Sequence, residues 1–299
     1  MRTLVALPDH QFYLWQMLVQ IQHFAERGEL GEVDYLIYHS GRKPSDRARA
    51  IADGTGARLH FWRDPRYQFD YNPMMKPWLI ARYLEKYPEQ RVHRFHYVDP
   101  DVMFTQPPDF YDQVPSWAGS PTDSYTGPGY LRSHGEDLWT DLCAIAGVPS
   151  EAAARVPGAG AQWVVADTDA QFWDDVSETS LKMFHRCLRQ KQAPGQQFKV
   201  QAWCAEMYAT QLVALAYGFP VYPDPALAFL WANGPAADWD NFGYFHNAGL
   251  PVPNGIDFCK GEHQVSPFRK NLYVDPGSAS YHYLKLVHRT EQHWPELIW

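Results

Sequence analysis

Apolar and polar positions follow two periods along this chain, and the switches between them lay out its elements. Thr3–Leu7 is a continuous apolar run of strand length, closed by Pro8. From about Gln11 to Arg27, Phe12, Trp15, Leu18, Val19 and Phe24 fall at helical spacing, and Gly28 ends the pattern. Asp34–His39 predicts a second strand, Ser45–Ala52 a polar helix, and Arg58–Trp62 a third strand entered through Gly54 and Gly56. A loop over Asn72–Trp78 leads into a helix reaching Tyr87, and His96–Phe104 follows as an apolar strand. Strands alternating with helices in this way predict an α/β fold: right-handed crossovers and a Rossmann-like, mostly parallel sheet with helices on both faces.

Periodicity weakens beyond residue 105. Gln106 to Pro128 is rich in Pro, Ser, Thr, Gly and aromatics and reads as a surface loop region of the kind that carries binding. A helix is expected over Gly135–Ala146. Gly158-Ala-Gly-Ala-Gln-Trp-Val-Val165 then places small residues ahead of an apolar strand, either a tight turn or a close approach to a ligand. Asp169–Gln190 is amphipathic, with Phe172, Trp173, Val176, Leu181, Phe184 and Leu188 expected inward, and Pro194 and Gly195 break it. Val200–Tyr217 is a strongly apolar helix holding one acid, Glu206, and Gly218 closes it. The last third is Pro, Gly and aromatic rich, with a short strand at Ala228–Trp231 and a helix over Ser280–Val287.

Composition narrows the function classes. A chain of 299 residues can bury one large core or a core and a smaller lobe, so the expectation is a single domain, with 1–105 as a nucleotide-binding half and 106–299 as an acceptor-side half. A formal charge of −8 argues against a broad basic surface for nucleic acid. Cys143, Cys187, Cys204 and Cys259 have neither paired nor metal-like spacing, which fits a reducing cytoplasm. Pro8 and Asp9 interrupt the first apolar run, so neither a signal peptide nor a membrane span is expected.

The chemistry concentrates in His96-Tyr-Val-Asp-Pro-Asp-Val-Met-Phe104. Asp99 and Asp101 do not belong in an apolar run unless a cation meets them. At the carboxyl end of a strand in an open α/β sheet, acids spaced i, i+2 face the ligand crevice. Such a pair can hold one hard divalent cation, Mn²⁺ or Mg²⁺, whose remaining positions go to water and phosphate oxygens. His246, after an aromatic pair and before Asn-Ala-Gly, is the candidate third ligand, and an imidazole leans the set toward manganese. Glu206 on its apolar helix is either functional or structurally partnered.

Taken together, these pieces resemble nucleotide-sugar-dependent glycosyltransferases of the GT-A fold. They are Val98-Asp-Pro-Asp-Val-Met-Phe104, Lys76-Pro-Trp opening the preceding helix, Trp15-Gln16, Trp203-Cys-Ala-Glu-Met-Tyr208 and a late His-x-x-Gly. Within that fold they look closest to the plant-type hydroxyproline arabinosyltransferases and serine galactosyltransferases, and glycogenin-like enzymes share the order of parts. The resemblance implies a retaining transferase. Asp101, with Asp99 directly or through water or ribose, and His246 would hold the cation on the diphosphate. Lys76 would contact the donor sugar or phosphate. Gly160, Ala161 and Gln162 would line the sugar, and Glu206 would face the transferring carbon or the acceptor, making Glu206 and Gln162 the catalytic candidates. The implied donor is a nucleotide-diphosphate sugar, a UDP-sugar first among them. The acceptor stays open among glycan, protein, small molecule and modified nucleic acid. Two other readings remain: a metal-dependent phosphohydrolase or nucleotidyltransferase on a related sheet, and a non-catalytic carbohydrate-binding protein.

Overall fold

The computed structural model describes residues 1–64, 71–107, 113–192, 199–250 and 252–299. In chain order it holds β1 (Arg2–Pro8), α1 (Gln11–Glu26), β2 (Val33–His39), α2 (Asp46–Thr55), β3 (Arg58–Arg63), α3 (Met75–Lys86), β4 (Phe95–Val98) and β5 (Val102–Phe104). Next come β6 (Ala118–Pro121), α4 (Asp123–Thr126), α5 (Pro128–Ser133), α6 (Glu136–Ala146), α7 (Ser150–Ala153), β7 (Ala159–Val165), α8 (Ala170–Lys191) and α9 (Ala205–Ala216). The last elements are β8 (Tyr222–Pro223), β9 (Phe229–Trp231), β10 (Tyr244–His246) and α10 (Ser280–His293). The strands make a mostly parallel seven-stranded sheet flanked by helices, and a separate three-stranded sheet. Two compact units share the chain, one built on Arg2–Arg66, Val98–Gln113 and Ala228–Trp299, the other on Tyr67–Tyr97 and Val114–Leu227 together with Met1.

In the first unit, β1, β2 and β3 run parallel, with Thr3 beside Val33 and Asp34 beside Arg58. The helices between them start and stop where local chemistry dictates. His10 Nδ1 accepts the Phe12 N–H at 3.3 Å ahead of α1, and Ser45 Oγ accepts the Ala48 N–H at 3.1 Å ahead of α2. Gly56 closes α2 at φ +68°, a left-handed conformation that a Cβ would strain. β3 is half-exposed and carries Arg58 and Arg63 at its two ends, charged residues that blunt further strand pairing. Asp34 is buried, and its carboxylate is met by Arg2 at 3.2 Å, Arg58 at 3.0 Å and His60 at 2.8 Å. Two guanidiniums and an imidazole around it are what make its burial tolerable. The smaller sheet, β5-β10-β9, belongs to this unit, with β10 antiparallel to β5 and parallel to β9. The helix α10 packs on α1, and Arg289 bridges to Glu26 at 2.7 Å.

In the second unit, β7 pairs antiparallel with both β4 and β6, and α3, α8 and α9 pack together. The inward face of α8 differs from the one expected. Phe172, Trp173 and Val176 are buried as read, but Leu181, Phe184 and Leu188 are half-buried, while Ser177, Ser180, Met183 and Cys187 face the core. The reason is polar contact as well as packing: α3 packs on α8, and Ser177 Oγ donates at 2.8 Å to the carbonyl of Met74, just ahead of α3. Pro194 and Gly195 lie outside the described residues. The expected loop region also holds structure, in β6, α4 and the start of α5.

The histidine on β4, His96, is fully buried opposite Val164. Burial lowers its pKa from 6.5 to about 3. Because the unfolded chain takes up this proton first, the stability His96 contributes is complete above about pH 6.5 and declines as pH falls toward about 3. The expected slope is about 1.4 kcal/mol per pH unit within that window. Urea unfolding of wild type and His96→Leu at pH 7 and pH 5 checks it: the variant should lose less stability between the two, and equal losses would refute the assignment.

Candidate active site

The apolar run that reads as one strand is two. β4 ends at Val98, β5 begins at Val102, and Asp99-Pro100-Asp101 forms a turn between them. The acids therefore do not project from a strand at i, i+2, as expected from the sequence. A turn presents them instead, and named groups fix it. Val102 N–H donates to the Asp99 carbonyl at 3.2 Å, and Asn247 N–H donates to the Asp101 carbonyl at 3.0 Å. From α1, the fully buried Gln20 donates through Nε2 to the carbonyls of Asp99 at 2.9 Å and Val102 at 2.8 Å. One amide thus clamps both ends of the turn.

The small sheet supplies the imidazole. Register places His246 beside Val102 on one side and beside Trp231 on the other, so the third candidate ligand stands next to the turn. His246 Nε2 lies 3.5 Å from Asp101 Oδ1 and 3.9 Å from Asp99 Oδ2. Asp99, Asp101 and His246 each offer one ligand atom within 4.8 Å of the others. The Trp231 ring stacks on the imidazole at 6.4 Å between centroids and 8° between planes, which sets the ring's tilt. Gly249, at φ +87°, lets the following loop pass under that indole, since a Cβ there would meet it at 2.7 Å. Asp101 is buried to 3% side-chain exposure, whereas Asp99 keeps 24%. Burial by itself would push the Asp101 carboxyl up, but the Lys260 ammonium, followed by His246, outweighs it and holds the group well below the usual carboxylate range. Lys260 Nζ sits directly on Asp101 Oδ2. Two carboxylates and an imidazole around one point form a donor set that suits a divalent cation of the Mn²⁺ kind, and Lys260 already neutralises part of its negative charge.

In the second unit, Lys76 lies in the first turn of α3, on the helix the sequence assigned to it, and its Nζ reaches Glu206 Oε2 at 3.1 Å. Hydroxyls surround the rest of Glu206. Tyr97 Oη donates to its Oε1 at 3.3 Å, Thr210 Oγ1 lies 3.4 Å from the same oxygen, and the Glu206 backbone N–H donates to Tyr71 Oη at 2.8 Å. The Lys76 ammonium also lies 5.7 Å from the Tyr97 ring centroid. Gly160, Ala161 and Gln162 all lie within β7. A Cβ on Gly160 would come 2.5 Å from Met207 Cε, so the close approach there is to α9. Ala161 adopts φ +63° beside a register shift between Gly119 and Ser120, a strained residue at a bulge. Gln162 is buried, with Oε1 accepting from Ser120 Oγ at 2.6 Å.

The structure therefore brings Asp99, Asp101 and His246 together in one unit and Lys76 and Glu206 together in the other. The sequence pattern marks neither Lys260 nor Gln20 as a site residue. Gln20 carries a weak signal, as a polar residue on an otherwise inward stretch of α1. Lys260 carries none, because its segment has no periodicity to place it.

No protein-family model and no curated protein matches the chain. Solved structures do. Over all of this chain and all of the other, an active-site mutant of LgtC aligns at a TM-score of 0.51 with 11% identity. The chain has the GT-A fold. A second structure, the galactosyltransferase LgtC in complex with donor and acceptor sugar analogs, aligns over the same full lengths at a TM-score of 0.47 with 11% identity. Among the described residues, no helix of this GT-A chain is long and apolar enough to cross a membrane, and all four cysteines are free and buried.

Proposed function

We propose that this protein is a metal-dependent glycosyltransferase that moves a sugar from a nucleotide-diphosphate sugar to an acceptor hydroxyl with retention. The observation that carries the reading is the Asp99, Asp101 and His246 cluster at a clamped turn of a GT-A fold. LgtC, whose fold the chain shares, is a galactosyltransferase, and the same reaction class is assigned here. The whole chain then works as one domain, residues 1–105 serving the nucleotide and 106–299 the acceptor. A UDP-sugar is the first donor to try, with glycan, protein, small-molecule and modified nucleic acid acceptors after it. Free buried thiols fit work in the reducing cytoplasm.

Asp101, Asp99 and His246 would hold Mn²⁺, or Mg²⁺, on the donor diphosphate. The cation supplies electrostatic stabilisation to the departing nucleoside diphosphate. Asp101 and His246 are buried, Gln20 fixes the turn that carries Asp101 and Trp231 stacks on His246, so the backbone and ring that present these ligands are already in place. Lys76 is assigned to the donor sugar or phosphate. Gly160, Ala161 and Gln162 are assigned to the sugar, an assignment that the strained backbone at Ala161 supports. Glu206 is assigned to the transferring carbon or the acceptor hydroxyl, where a carboxylate assists proton removal. The test is a panel of nucleotide sugars incubated with the protein and Mn²⁺, with released nucleoside diphosphate and transferred sugar read by mass spectrometry. One donor should turn over and a chelator should stop it. If no donor binds or turns over, with or without metal, the reading is wrong.

A further inference from the structure

We infer that Lys260 is a built-in cation that competes with the divalent metal for Asp101, so that the free protein loads metal weakly and loads it well only when a diphosphate is present. This inference rests on the proposed metal site and adds an order of binding to it. Lys260 opens a short 3-10 helix, Lys260–Glu262, far along the chain from the acids, yet its ammonium contacts Asp101 Oδ2. The other oxygen, Oδ1, faces His246 Nε2 at 3.5 Å. The buried carboxylate is therefore divided between the imidazole, which faces Oδ1, and the lysine, which holds Oδ2.

Charge balance sets the order of binding. The two acids carry two negative charges, and Lys260 neutralises one of them. Adding a divalent cation while the ammonium stays on Oδ2 leaves this largely buried pocket with an excess of positive charge, and the two cations repel across a single carboxylate. Moving Lys260 into water in the absence of any anion gives up its ion pair with Asp101 and gains no new one. A diphosphate resolves both conflicts, because its negative charge balances the metal and offers the ammonium a new partner. Metal and diphosphate should accordingly bind with positive coupling, and Lys260 is the residue through which the coupling acts. Lys260 is a positioning residue in this scheme, setting when the metal site opens.

Equilibrium Mn²⁺ binding, followed through the electron paramagnetic resonance of the free ion, tests it on the full chain. Wild type, Lys260→Met and Lys260→Arg are titrated with and without UDP, with Mn²⁺–UDP binding subtracted from a protein-free control. Lys260→Met should bind Mn²⁺ about tenfold more tightly than wild type in the absence of UDP and gain less from UDP. Lys260→Arg should behave as wild type. Thermal melts confirm folding, and Lys260→Gln stands in should the methionine variant fail to fold. Unchanged or weaker Mn²⁺ affinity in the uncharged variants overturns the role of Lys260 alone. Absence of Mn²⁺ binding in every protein, matched by Asp101→Ala, overturns the metal site itself and this inference with it.

Discussion

Asp101→Asn is expected to lower metal-dependent donor turnover by about 100-fold or more, the loss seen when one preorganised charge at a developing negative centre is removed. Asparagine keeps the size of the side chain and one oxygen, so the turn held by Gln20 and by the Asn247 N–H should persist. What disappears is the negative charge that both His246 and Lys260 face. Asp99→Asn should do less, about tenfold, because that carboxylate is 24% exposed and solvent can replace part of its work. Initial rates at saturating Mn²⁺, with circular dichroism melts to show that the variants fold, provide the measurement. A rate in Asp101→Asn equal to wild type would remove the acid pair from the chemistry.

Lys76→Met should destabilise the protein by about 3–5 kcal/mol, the range for stripping one partner from a buried ion pair. Glu206 keeps only 4% of its side chain exposed, and without the ammonium it would rest on hydroxyl donors from Tyr97 and Thr210. The double variant Lys76→Met with Glu206→Leu should cost less than Lys76→Met alone, since no uncompensated charge remains. Urea unfolding of the two singles and the double, analysed as a cycle, separates the pair from its surroundings. Additive losses would mean that the two side chains are not coupled.

The first sixty residues were legible because each element there carries its own signal. Thr3–Leu7 is apolar without interruption, α1 repeats at helical spacing, and Gly28 and Gly56 sit where helices end. The division at Asp99-Pro100-Asp101 was not legible, because an apolar run on each side of three residues looks like one strand. Its true shape depends on Gln20 and Asn247, which are remote in sequence. The face of α8 is hidden for a related reason: Ser177 and Ser180 are buried with hydroxyl partners of their own, the Met74 and Ser177 carbonyls, while hydropathy alone favours Leu181 and Phe184. The side chains around Asp34 and the ammonium on Asp101 belong to the same class of information. They are fixed by where strands meet, and Lys260 is 159 residues from its partner.

That separation has a consequence for how the protein is made. The parallel strands β1, β2 and β3 close through short connections and can consolidate while synthesis continues. The three-stranded sheet cannot, because β5 must wait for β9 and β10 to leave the ribosome before it has any neighbour in that sheet. A chain cut short before residue 246 holds both acids without His246, and one cut between residues 246 and 260 holds Asp99, Asp101 and His246 without Lys260. The Asp99, Asp101 and His246 cluster is thus a late product of biosynthesis, assembled only when the carboxyl-terminal part of the chain folds back onto a turn made much earlier.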